Sequence, residues 1–418
     1  MFHRVWRRRL RRNHELDAIR GIAAFVVLLH HAWLAMPRPW HDMAEPSSLW
    51  LFLRPAFLLR YTPLGLLVDG PRCVGLFFVL SGYVLAISLS GPRAGGYGRF
   101  VVRRLCRIYL PFAAIILVSA MVWGLVPAAG DRVPEASDWL SQGQWSVVPA
   151  FAVLLGHLAM IGTPALQSLD PPMWSLVVEM RVSLIFPLLY LVMTRYRAIG
   201  IAGVAVLYLL SCGIMSARDE VVPLSFGTSL LLTLDYMPLF VVGILLHQGR
   251  ERLWHVWRSM PVIHRCVAIL SVVGAYIAFQ RSMPATEAAL MAWAPGIGAH
   301  VAIDVTKNII WQLSVAGGSV AAIMIALHSQ RASRWLDLRP FQWLGSISYS
   351  LYLVHMPVLM AMVHALHGHM PMPAILAVSI ILSLAVATLG FHWIEQPAIA
   401  LGRHLTRRTM SAPVAVVP

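Results

Sequence analysis

Ten apolar runs divide the chain, at about 18–36, 71–90, 108–127, 174–194, 199–215, 229–247, 263–281, 306–327, 343–365 and 374–394. Each is long enough to cross a hydrocarbon layer about 30 Å thick as a helix. The pattern predicts an all-α fold, a polytopic membrane helix bundle of about ten transmembrane helices. An eleventh run, 147–163, is short and carries Pro149, Gly156 and His157. Its status depends on where the arginines fall. If it does not cross, the N-terminal cluster and those at 93–107, 195–197, 250–265, 331–339 and 403–408 share one side. If it crosses, the twelve arginines of the later clusters move to the opposite face. The bias of basic residues toward the cytoplasm therefore favours ten spans, both termini cytoplasmic, and a re-entrant or peripheral helix near 147–163.

Composition narrows the class further. With 58% apolar and 12% charged residues, no stretch remains for a soluble domain of useful size. Residues 1–405 read as a single membrane domain and 406–418 as a disordered C-terminal tail. The start of the chain, RVWRRRLRRNHEL before an apolar run, reads as a retained signal anchor. All but one of the 33 basic residues are arginine, set in short clusters between apolar runs. That arrangement fixes topology and gives no sign of a nucleic-acid partner; the expected surroundings are membrane lipids. Cys73, Cys106, Cys212 and Cys266 are scattered, which indicates neither a disulfide framework nor a zinc site. His364, His367 and His369 lie close together with no carboxylate or thiolate beside them, so no metal is expected.

The chemistry-bearing residues lie within the apolar runs. In LDAIRGIAAFVVLLHH, residues 16–31, Arg20 and His31 are eleven steps apart. On a helix that separation returns to nearly the same face, roughly 16 Å along the axis. A helix entering the bilayer near Ala18 puts Arg20 at a headgroup boundary and His31 at or past the midplane, the two looking into one groove. An ionisable group at that depth normally faces a polar cavity, although a neutral buried imidazole is also a common core residue. His30 points about 100° away and reads as structural. Glu179, five residues into a span, needs a partner on another span, because Arg181 lies on the opposite side of its own helix. Arg104 and Arg107 share a face and suit phosphate oxygens as well as topology, with Tyr109 beside them. Ser81 and Gly82 sit where small residues commonly allow close helix packing. Trp174 and Ser175 mark an interface, and Tyr352 with His355 forms an i, i+3 pair.

These segments, taken in order, resemble the acyltransferase-3 family of membrane acyltransferases. The likeness is carried by Arg20 with His31, LFFVLSGY, RRLCRIYLP, WSLVVE, FVVGILL at 240–246, WLGSISYSLYLVHMPV and IEQP at 394–397, and it covers nearly the whole chain. The resemblance implies an acyl-CoA donor used as co-substrate, acetyl chemistry, no permanently bound cofactor, a place in a bacterial inner (plasma) membrane, and a hydroxyl of an envelope or exported carbohydrate or glycolipid as acceptor. By the same analogy His31 is the base or acyl relay, Arg20 its essential partner and Glu179 the acid of WSLxxE, holding or polarising the imidazole. Arg104 and Arg107 would bind the donor, and Tyr109, Trp174, Ser175, Ser81, Tyr352 and His355 would contact substrate. Two departures concern acceptor specificity: Gly75 stands where an acidic residue commonly precedes LFF, and Val182 and Ser183 replace an aromatic pair, with Arg181 added. The competing class is a non-catalytic transporter or flippase of a glycolipid; inverted symmetry or paired broken helices would favour it, and the sequence shows neither.

Overall fold

A computed structural model describes residues 14–37, 55–91, 96–126, 148–160, 169–218, 226–267 and 296–407, with further positions within 129–145 and 268–295. Among the described residues nine helices are long and apolar enough to cross a membrane. They are α1 (His14–Ala35), α2 (Gly70–Ser90), α3 (Tyr97–Leu125), α6 (Met173–Arg195), α7 (Arg197–Arg218), α8 (Phe226–Ser259), α9 (Ile297–His328), α10 (Arg339–Leu366) and α11 (Met372–Arg407). Two shorter helices, α4 (Asp138–Gly143) and α5 (Phe151–Ala159), lie between α3 and α6. The nine spans coincide with nine of the ten runs read from hydropathy. Most of the remaining run, the seventh, 263–281, lies outside the described residues, as do the first thirteen residues and those after Arg407. At nine residues, α5 is about 14 Å long and cannot cross, in accord with the expectation for 147–163.

The bundle has an inside and an outside. In α10, 78% of the apolar window is buried, against 28% in α7, so α10 is the central helix and α7 a lipid-facing one. Apolar side chains gain little from meeting one another in lipid, so close approach of backbones has to supply the packing. Glycines at two crossings permit it. A Cβ on Gly21 of α1 would stand 2.3 Å from the backbone nitrogen of Gly345 in α10. A Cβ on Gly82 of α2 would stand 2.2 Å from the carbonyl oxygen of Phe240 in α8. The Gly82 of LFFVLSGY is therefore a packing residue.

A second apolar cluster, including Ala35, Leu140, Trp145, Leu359 and Met360, caps the C-terminal half of α1 and α10. The segment before α4 is tied to it by hydrogen bonds from the Ser137 amide to the Ala35 carbonyl, 3.3 Å, and from the Ser137 hydroxyl to the Leu34 carbonyl. Those bonds bring Trp139 of α4 against α1.

Candidate active site

A cavity of about 720 Å³ opens between α1, α2, α3, α6, α10 and α11. Arg20 enters it from α1, Ser81 from α2, Arg104 and Arg107 from α3, and Ser175 and Glu179 from α6. Tyr349 and Tyr352 line it from α10, and Glu395 and Arg403 from α11. Its volume is in the range of small-molecule and cofactor sites. Four guanidinium groups and three carboxyl groups, those of Asp17, Glu179 and Glu395, share its wall.

Two local irregularities shape that wall. The Leu110 amide bonds to the Leu105 carbonyl and the Gln396 amide to the Phe391 carbonyl, each five residues back. Such π-turns insert a residue and re-aim the side chains around them, and they are frequent at functional sites. One carries Arg107 and the other Glu395. The remaining polar groups are held by named partners. Ser81 donates to Glu179 Oε1 at 2.8 Å, Ser350 donates to Glu395 Oε2 at 2.7 Å, and Arg20 pairs with Asp17 at 3.4 Å.

Toward the middle of α10 the wall reaches Tyr352, whose hydroxyl is 2.6 Å from Ser175 Oγ. The Pro172 carbonyl lies 3.0 Å from the Ser175 hydroxyl and 3.5 Å from the Tyr352 hydroxyl, so one hydroxyl donates to the other and the remaining proton goes to this shared acceptor. One turn further along α10 comes His355, its ring centroid 5.8 Å from that of Tyr352. His355 Nε2 lies 3.0 Å from His31 Nδ1. His31 is partly exposed, stacks on Trp139 with centroids 5.6 Å apart, and meets the edge of His30. His30 is occupied elsewhere, with Nδ1 2.7 Å from the Val68 carbonyl.

This geometry corrects part of the picture drawn from periodicity. Arg20, Ser81, Arg104, Arg107, Ser175, Glu179 and Tyr352 are gathered on one cavity; His31, His355, Tyr109 and Trp174 are not on its wall. Arg20 lines this cavity and His31 does not; α10 packs along α1, and its Tyr352, on the cavity wall, adjoins His355, which reaches His31. Glu179 is hydrogen-bonded to Ser81, whereas the side chain hydrogen-bonded to His31 is His355. The Tyr109 hydroxyl donates to the Leu158 carbonyl at 2.9 Å and ties α3 to α5. Trp174 packs in an aromatic group with Phe78 and Tyr236.

Both departures from the family pattern lie away from the cavity. Arg181 donates to the Ser229 carbonyl and hydroxyl and to Thr233, linking α6 to α8. Gly75 faces α9, where an added Cβ would stand 2.3 Å from a Val315 methyl carbon.

Asp17, Glu395 and Arg403 were not singled out from sequence, although the i, i+3 spacing of Asp17 and Arg20 was a readable signal. Asp170 is a further omission. It is fully buried just before α6, and neither carboxyl oxygen has a hydrogen-bond partner among the described residues. Burial pushes this carboxyl well above its ordinary value of 3.8. Among the described residues no group of three or more His, Cys, Asp or Glu side chains is placed to hold a metal ion.

Comparison with known proteins agrees with the architecture. A model of an acyltransferase domain, that of the acyltransferase-3 family, matches residues 13–392. The chain is similar to a Bacillus subtilis (strain 168) protein named "Putative peptidoglycan O-acetyltransferase YrhL", 26% identical over 376 residues, or 80% of this chain and 51% of that protein. The chain thus spans about half the length of that relative. It is also similar to "Nodulation protein 10" of Rhizobium leguminosarum bv. viciae, 24% identical over 409 residues and 96% of both chains. No solved structure matches it. The family match runs from the first residues of α1 into the π-turn of α11, taking in the cavity walls of α1, α2, α3, α6 and α10, and the chain belongs to the acyltransferase-3 family.

Proposed function

We propose that this protein is a membrane O-acyltransferase that moves an acyl group, acetyl in the first instance, from cytoplasmic acyl-CoA to a hydroxyl of an envelope carbohydrate or glycolipid. The observation that carries the reading is the cavity holding Arg20, Arg104, Arg107 and Arg403, whose deep end leads through Tyr352 to a pair of hydrogen-bonded imidazoles. Family membership supports the reaction class. The name of the Bacillus relative supports an O-linked acetyl group and a carbohydrate acceptor. Arginine placement supports cytoplasmic termini and an inner-membrane location.

In this reading the arginines bind the phosphates of the donor, since a guanidinium presents two parallel donors to phosphate oxygens. Glu179 and Glu395 orient them and limit the net positive charge of the site. The pantetheine arm runs toward Ser175 and Tyr352, and the thioester meets the imidazoles once that hydrogen bond parts. His31 removes the proton from the acceptor hydroxyl as its oxygen attacks the thioester carbonyl. The C–O bond forms, the C–S bond breaks, and the proton passes to the departing thiolate, leaving an ester and free CoA. General-base assistance of this kind is worth about 10²–10⁴ in rate.

The test is acyl transfer by purified protein from radiolabelled acetyl-CoA to an envelope glycan or glycolipid fraction. Wild type labels the acceptor and His31→Ala does not. Labelling by the variant at the wild-type rate would remove His31 from the chemistry. Unlabelled acceptor with wild type across all fractions would return the protein to the transporter class.

A further inference from the structure

The two imidazoles meet across 324 residues of sequence, and their hydrogen bonds fix which nitrogens carry protons. His355 Nδ1 is 3.1 Å from the Leu351 carbonyl, and His31 Nδ1 is 3.1 Å from the Val27 carbonyl. A carbonyl oxygen only accepts, so both Nδ1 atoms bear hydrogen. In neutral rings both Nε2 atoms then carry lone pairs. The 3.0 Å contact between His355 Nε2 and His31 Nδ1 follows one direction: His31 donates and His355 accepts. His31 Nδ1–H is thus shared between the Val27 carbonyl and His355, and His31 Nε2 is left as the open basic nitrogen. The reverse assignment would require a doubly protonated His355 and would set a His31 lone pair against the Val27 oxygen.

We infer that His355 is a positioning residue that holds His31 in the Nδ1–H tautomer through its Nε2 lone pair, the part a buried carboxylate takes in a serine-protease triad, here filled by a neutral imidazole. The inference rests on His31 being the base of the proposed reaction. A carboxylate at this depth would have to give up its hydration, whereas a neutral ring imposes the same tautomer with no ion. When His31 takes the acceptor's proton at Nε2, its Nδ1–H becomes a charge-assisted donor, and the acceptor is already in place. Trp139 stacked on His31 restrains the ring plane without occupying its Nε2 edge. His355 is fully buried, so the lone pair it offers has no competing water.

The test compares His355→Leu, which removes the acceptor, with His355→Gln, whose Oε1 falls near the position of Nε2. The Val27 carbonyl alone is a shared acceptor that biases the tautomer without fixing it, so losing His355 costs about 10- to 100-fold in kcat for the leucine variant with the donor KM little changed. The glutamine variant recovers most of that loss. Independently, ¹⁵N-histidine NMR of full-length protein in bilayers, with His31 assigned by its disappearance in His31→Ala, shows a bare Nε2 in wild type and His355→Gln and mixed tautomers in His355→Leu. An unchanged kcat with an unchanged His31 tautomer in His355→Leu overturns the inference. Failure of the base role is separate: it would appear as an active His31→Ala enzyme, whatever His355 does.

Discussion

The two ends of the proposed reaction path are built from opposite materials. The cavity gathers charges of both signs, four guanidinium and three carboxyl groups, in about 720 Å³. At the histidine end the hydrogen bonds run between uncharged groups, two imidazole rings, a tyrosine and a serine, with backbone carbonyls among the acceptors. Coulomb attraction strengthens as the dielectric falls, but the cost of removing each ion from water rises with it. In the proposed reaction ions serve where phosphates arrive with water, and neutral donors serve where the chain lies deep in hydrocarbon. One end is suited to binding and the other to moving a proton.

The sharpest way to test that division is to separate kcat from KM. His31→Ala is expected to lower kcat by about 10²–10⁴ while the donor KM stays within a few-fold. Arg104→Ala or Arg107→Ala should do the reverse, raising the donor KM about 10- to 100-fold with a smaller effect on kcat, because uniform binding is lost. Arg107→Lys should rescue only partly, since an ammonium cannot grip phosphate with two parallel donors. Steady-state kinetics with acetyl-CoA varied at fixed acceptor checks both arms. If the arginine variants fell in kcat alone, the cavity would be acting on the transition state and the two ends would not be distinct.

How much of this was legible in the sequence follows from the range of each interaction. Hydropathy located the spans because a helix in lipid must be apolar along its own length, a local property. Periodicity placed Arg20 and His31 on one face of α1 but could not say what covers that face. The answer is α10, more than 300 positions away, which puts Arg20 on the cavity and His31 beyond Tyr352. Glu179 with Ser81 and His31 with His355 are contacts between spans and leave no spacing signal. The π-turns at Leu105–Tyr109 and Phe391–Glu395 were equally hidden, because a five-residue hydrogen bond has no residue signature, although RRLCRIYLP and IEQP marked both places through family resemblance.

Packing gives a smaller effect that spares the chemistry. Gly82 and Gly243 let α2 and α8 touch backbone to backbone; an added Cβ would lie 2.2 Å from the Phe240 oxygen and 2.3 Å from the Val79 oxygen respectively. Gly82→Ala or Gly243→Ala should therefore destabilise the bundle by about 1–3 kcal/mol through forced separation of the helices. The measure is the temperature at which half the detergent-solubilised protein loses its monodisperse elution peak. Gly203→Ala, on lipid-facing α7 with nothing within 4 Å of the new methyl, is the control and should leave that temperature unchanged. Equal behaviour of the three variants would show that the α2–α8 contact is not as close as described.

The smallest expected effect concerns Asp170, a carboxyl close enough to Tyr352 to act on it electrostatically. It sits at the turn into α6, and its backbone carbonyl accepts the Met173 amide while its carboxyl is buried without a hydrogen-bond partner among the described residues. Burial raises its proton affinity in the folded protein above the ordinary value of 3.8. Between 3.8 and that raised value the folded chain keeps a proton that the unfolded chain releases. Stability from this group is thus fully present in acid and declines as pH rises through that window. Asp170→Asn keeps the shape and has no proton to lose, so the melting temperature of the variant minus that of wild type should grow more positive from pH 4 to pH 8. A difference that shrinks over the same interval would mean that Asp170 is ionised in the folded protein and paired with a cation. The boundary between charged cavity and neutral relay would then have to be redrawn to include a carboxylate beside α6.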